Sequence, residues 1–119
     1  MASDTVKRES FEKGYRIRNR RDFLKVYEKG KPYFFRFVVV YVLRNNLENS
    51  RLGITIPKKV GSSVMRNRIK RILKESFRKV KNTFPDNFDI VINAKKDAIK
   101  LNYVEAKKIF DSLSERTKE

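Results

Sequence analysis

The apolar positions change period several times along the chain, and each change marks an element. Phe23, Val26 and Tyr27 stand at i, i+3 and i+4, one face of a helix. Asn19 precedes them as a capping residue, Asp22 falls in the first turn, and Gly30 can end the run. A helix is therefore predicted from about Arg20 to Lys29. From Arg36 to Leu43 the residues are β-branched and aromatic. Strand alternation puts Phe37, Val39, Tyr41 and Leu43 on one face and Val38, Val40 and Val42 on the other. Both faces are apolar, so an interior strand with cover on both sides is expected. A further short strand fits Lys31 to Phe34. The polar run Arg44 to Ser50 reads as a loop, and Arg51 to Ile56 as a strand ended by Pro57. So short a connection predicts antiparallel pairing of these two strands.

A longer helix follows, capped by Ser62 or Ser63 and running to about Lys81. At about 100° per residue, Met65, Ile69, Ile72, Leu73, Ser76 and Val80 gather on one arc. Arg66, Asn67, Lys70, Arg71, Lys74 and Arg78 take the opposite arc, with Arg68 on the far flank of the apolar stripe. Phe84 to Asn87 reads as a turn and Phe88 to Asn93 as a strand. Asn102 with Glu105 resembles a capping box, and Tyr103, Ala106, Ile109, Phe110 and Leu113 give the last helix its core face. The order is α-β-β-β-α-β-α, an α/β sandwich. Residues 1–14 read as a loose tail, 15–116 as one domain, and 117–119 as a short tail.

Charge sharpens this picture. The chain has 119 residues and a net charge of +16. Residues 51–81 hold eleven basic side chains and one acidic, +10 of that total. A solvated helix face normally mixes signs, because like charges at i, i+4 oppose each other. Here Arg66/Lys70, Lys70/Lys74 and Lys74/Arg78 are all like-charged, and Glu75 is the helix's one acid. Such a ridge fits a polyanion, and nucleic acid is the usual one. Arginine suits bidentate phosphate contacts and lysine looser ones.

Cysteine and histidine are both absent. Disulfides, thiolate metal sites and histidine-based catalysis are thereby excluded. No glycine-rich phosphate loop is present, and no pair of acids has a spacing that suggests metal binding or acid–base work. The longest apolar run, Phe37 to Leu43, is too short to span a bilayer. No signal-peptide core is seen at the N-terminus, so a cytoplasmic protein is expected. Phe23, Tyr27 and Tyr41, with Phe37 nearby, lie among cations and could stack the bases of a single strand, although the same spacing also suits simple core packing.

Lys58-Lys59-Val60-Gly61 followed by Met65-Arg66-Asn67-Arg68-Ile69-Lys70-Arg71 resembles the signature of the bacterial ribonuclease P protein subunit. Arg18 to Phe23, Val26-Tyr27 and Gly30 resemble that family's N-terminal segment. Arg51 to Ile56 and Phe88 to Ile92 are similar to its strands. The likeness runs from about Tyr15 to Leu113.

The resemblance implies a fold like the second domain of ribosomal protein S5, with an uncommon left-handed βαβ crossover. It implies removal of the 5′ leader from precursor tRNA by a catalytic RNA that this small protein assists. The partners are then ribonuclease P RNA and precursor tRNA, with no membrane and no obligate protein partner. Mg²⁺ is held mainly by RNA, with no metal site and no catalytic residue on the protein. By the same resemblance Arg66, Asn67, Arg68, Lys70, Arg71 and Lys74 face the catalytic RNA. Phe23, Tyr27, Tyr41, Thr55, Lys58 and Lys59 form a cleft for the leader. Tyr27 stands where the family often carries phenylalanine, so stacking is kept and a hydroxyl added. A ribosomal or general RNA-binding module and a self-sufficient nuclease are the competing readings. A helix-turn-helix binder fits less well, because strands flank the basic helix.

Overall fold

The computed structural model describes residues 15–118. The expected tail at 1–14 lies outside them. The elements are α1 (Arg20–Lys29), β1 (Lys31–Phe34), β2 (Val38–Arg44), β3 (Arg51–Thr55), α2 (Ser63–Val80), β4 (Phe88–Ala94) and α3 (Tyr103–Arg116). Short 3-10 turns at Lys58–Val60, Lys81–Thr83 and Lys96–Lys100 link them. Asn19, Ser62 and Asn102 cap the three helices, their side chains accepting from the backbone N–H groups of Asp22, Met65 and Glu105.

The sheet runs β1-β2-β4-β3. β1 and β2 form a hairpin closed by Phe35 N–H donating to the Val38 carbonyl. β4 pairs antiparallel with β2 and parallel with β3. This corrects the expected antiparallel pairing of β2 with β3. The loop between them does not turn back. It crosses the start of β4 and is tied to it: Asn45 N–H reaches the Asn87 carbonyl, Asn87 Nδ2 reaches the Leu47 carbonyl, and Phe88 N–H reaches Ser50 Oγ. Asn46 takes a left-handed conformation there (φ 57°). β4 is the most thoroughly buried strand and takes the centre.

One face of the sheet carries Val38, Val40, Val42, Leu52, Ile90 and Ile92 into the main core, where α2 and α3 cover it. Phe77 and Phe110 meet there, ring centroids 6.0 Å apart. Several expectations change here. Phe37 sits in the hairpin turn and packs into this core rather than sharing the Tyr41 face. Tyr103 is 44% exposed rather than buried. Phe77, outside the expected apolar arc, is among the largest fully buried side chains. The chain stays packed past α3: Thr117, expected to open a tail, is buried and donates to the Leu113 carbonyl.

Candidate nucleic-acid interface

Register sets out the second face of the sheet. Three rows cross it: Leu43–Asp89–Arg51, then Pro32–Tyr41–Val91–Gly53, then Phe34–Val39–Asn93–Thr55. Helix α1 covers the first two. Val26 is fully buried beside Val91 and Ile17. Phe23 lies on Gly53, where an added Cβ would come within 2.6 Å of its ring. A glycine is therefore required for the helix to sit this close. Arg51 fastens the arrangement. Its guanidinium grips Asp89 at both oxygens (2.8 and 2.6 Å) and reaches Asp22 of α1 at 3.3 Å. The Asp89 hydrogen bond pushes the Arg51 pKa up from its ordinary value, against the pull of burial. The guanidinium thus keeps its charge and, through Asp22, holds α1 down.

The third row is open. Phe34 and Thr55 are exposed, Val39 and Asn93 half-buried. Tyr27 leans over it from α1. Its phenol donates to Asn93 Oδ1 at 2.6 Å, and its ring meets Tyr41 edge-on at 5.1 Å between centroids. Phe23, Tyr27 and Tyr41 are thus brought together, half-buried, on one apolar shelf. Thr55 ends the shelf on the β3 side. Lys58 and Lys59 are exposed in the turn that follows β3.

A separate groove of about 700 Å³ runs beside the β3 edge. One wall is α2, through Asn67, Lys70, Arg71, Lys74 and Arg78. The other is the segment Tyr15 to Arg18, which pairs with Leu52 through two backbone bonds, 2.7 and 3.0 Å. Leu52, Gly53, Ile54, Phe77 and Phe23 also line it. Among the described residues, no carboxylate forms an ion pair with Arg66, Arg68, Lys70, Arg71 or Lys74. Glu75, at the rim, accepts instead from the Tyr103 phenol at 2.8 Å. That bond raises the Tyr103 pKa above the ordinary tyrosine value.

The Arg-Asn-Arg triplet is split by the helix. Asn67 faces the groove. Arg66 turns back to the Gly61 carbonyl (3.1 Å) and Ser63 Oγ (3.3 Å), while Arg68 reaches the Leu101 carbonyl (3.2 Å) on the α3 side. Both guanidinium groups are thereby oriented as well as charged.

A family model described as Ribonuclease P matches residues 11–118. The chain belongs to the ribonuclease P protein family. The ribonuclease P protein component of Syntrophus aciditrophicus is 41% identical over 100 residues, 84% of each chain. That of Clostridium kluyveri is 43% identical over 97 residues, covering 76% of this chain and 83% of the relative. Among solved structures, a Staphylococcus aureus RNase P protein mutant with defective mRNA degradation activity superposes with a TM-score of 0.83 at 32% identity, covering 95% and 96% of the two chains. The Thermotoga maritima RNase P protein gives 0.75 at 33%, covering 85% and 96%. The chain is thus a protein subunit of ribonuclease P, a ribonucleoprotein nuclease of tRNA processing.

Within this ribonuclease P protein, the expected cleft residues Phe23, Tyr27 and Tyr41 converge, and Asn67, Lys70, Arg71 and Lys74 share the groove. The two sets touch at Phe23, which lies in both. Sequence reasoning missed Asn93, the amide that orients Tyr27. Its signal was a polar residue directly after the apolar run Ile90 to Ile92 of β4, at the same strand parity as Asp89. It also missed Arg16 as a member of the groove's second wall. Among the described residues no helix is long and apolar enough to cross a membrane.

Proposed function

We propose that the groove beside β3 seats the RNA subunit of ribonuclease P, and that the aromatic shelf guides the single-stranded 5′ leader of precursor tRNA. The observation that carries this reading is the groove's charge: Lys70, Arg71 and Lys74 line it with no ion-pair partner among the described residues. Like charges held this close are relieved by phosphates, whose bound counterions are released into solution. The shelf suits a different ligand. Tyr27 and Tyr41 are half-buried rings packed edge to face, and ring surfaces of this kind favour stacking of bases over reading one sequence. Thr55 and Lys58 supply a hydroxyl and a cation beyond the rings.

The bond-breaking centre belongs to the RNA in this reading, and the protein contributes positioning and charge neutralisation. Asp22 and Asp89 are committed to Arg51, and no three metal-ligating side chains group together among the described residues. In this reading Mg²⁺ is held mainly by the RNA. The working site is where that RNA is, with no membrane step. The test is reconstitution: cleavage of a precursor tRNA by a bacterial ribonuclease P RNA at low Mg²⁺, with and without this protein. Stimulation of leader removal is expected. RNA binding without stimulation would instead mark a general RNA-binding module.

A further inference from the structure

The open row of the sheet does not stop at Val39. Its last member is Phe34 on the edge strand β1, an aromatic side chain 69% exposed. Phe34 pairs with Val39, so it points to the face that carries Tyr41. Tyr41 pairs with Pro32, which makes Phe34 and Tyr41 diagonal neighbours across β1 and β2, a spacing within reach of aromatic side chains. Among the described residues no ring or cation packs on the Phe34 ring, whereas Tyr33 and Phe35 on either side are covered by the Arg116 guanidinium. A recess of about 440 Å³ opens beside it, lined by Lys31, Pro32, Tyr33 and Arg116 as well as Phe34. Two cations and no acid line that recess, both from the core side of β1: Lys31 pairs with Val42 and lies over the Tyr33 ring, and Arg116 comes from α3. Lys95, at the end of β4, reaches the Phe35 carbonyl with its ammonium at 2.6 Å, placing a further positive charge at the same end of the sheet.

We propose that Phe34 is an additional stacking residue for the leader, carrying the single strand past Tyr27 and Tyr41 across β2 and over the β1 edge, beyond which Lys31 and Arg116 meet its phosphates. The proposal deepens the leader-guiding role proposed above and rests on it. A protein partner would have to cover an aromatic ring beside a recess whose charged lining residues, Lys31 and Arg116, are both cations. A nucleic-acid strand brings both a base for the ring and phosphates for the cations.

Leader length separates the two ideas. The holoenzyme is reconstituted with a bacterial ribonuclease P RNA, and its affinity is measured for precursor tRNAs whose leaders grow one nucleotide at a time. Tyr27→Ala is expected to lose affinity from the shorter leaders onward. Phe34→Ala is expected to match the natural protein on short leaders and to lose about fivefold or more once the leader is long enough to reach β1. Phe34→Tyr, which keeps a ring, should restore it. A Phe34→Ala curve that matches the natural protein at every length, beside a leader-dependent Tyr27→Ala, overturns the Phe34 role alone. An equal loss on mature tRNA overturns it as well. No leader dependence for Tyr27→Ala discards the shelf reading and this proposal with it. If Phe34→Ala instead abolishes self-association in sedimentation while the leader curves coincide, Phe34 is a contact between copies and the proposal fails.

Discussion

On the open sheet face the groups that set the shape are engaged within the protein. Tyr27 is bonded to Asn93, Arg51 to Asp89 and Asp22, and α1 is seated by the fully buried Val26. In the groove beside β3 the reverse holds. Its walls are fixed by α2 and by the backbone pairing of Tyr15 and Ile17 with Leu52, but Lys70, Arg71 and Lys74 meet no carboxylate. The shelf is therefore preorganised in shape, and its cations, Lys58 and Lys59, stand beyond the rings rather than among them. The groove is preorganised in position and frustrated in charge. Shape without charge predicts binding that is modest and weakly salt-dependent; charge without partners predicts binding that salt dissolves.

The largest effect expected is on the frame that both regions share. Arg51→Ala leaves Asp89, 6% exposed, as a buried carboxylate without its ion pair. Loss of about 3–5 kcal/mol of stability is expected in a denaturant titration. Because α1 is released, leader selectivity should fall before unfolding does. A loss below about 1 kcal/mol would show that α1 is held by apolar packing alone.

Next comes the groove. Lys70→Ala with Arg71→Ala keeps helix propensity and removes two exposed cations. Affinity for ribonuclease P RNA should drop about 100-fold, from about 1.5 kcal/mol for each charge-assisted contact. The slope of log affinity against log salt should fall by about 2. An unchanged slope would separate the groove from RNA binding.

The smallest effect belongs to the shelf. Tyr27→Ala should cost about 1–3 kcal/mol of affinity for precursor tRNA with a leader and nothing for mature tRNA. Its salt slope should match that of the natural protein. If the slope changed as much as in the groove variant, the two regions would not be distinct.

Much of this was legible beforehand because local signals agreed. Asn19, Ser62 and Asn102 each cap the helix expected of them, and the cationic arc of α2 follows from its period. What escaped was non-local. The loop from Arg44 to Ser50 looks like a hairpin turn, yet its partner is the start of β4, some 40 positions later in the chain, and no local pattern announces that. Phe37 alternates correctly with Val39 and Tyr41, but the turn closed by Phe35 and Val38 swings it into the core. The site residues were legible as types, through motif likeness, more than as a surface. That Arg66 and Arg68 leave the groove to Asn67 depends on the Gly61 and Leu101 carbonyls, which the helical period does not encode. Likewise Gly53 matters only because Phe23 arrives above it.

The place of β4 also bears on how the chain is made. Its seven residues lie between β2 and β3, so the parallel pair that brackets α2 cannot close until Phe88 to Ala94 have been synthesised. During translation the hairpin of β1 and β2 can form early, since its contacts are local. The basic helix, though already made, lacks the sheet it must lie against. An emerging chain is thus cationic before it is shaped, and its grip on RNA becomes selective only when the late central strand slots in.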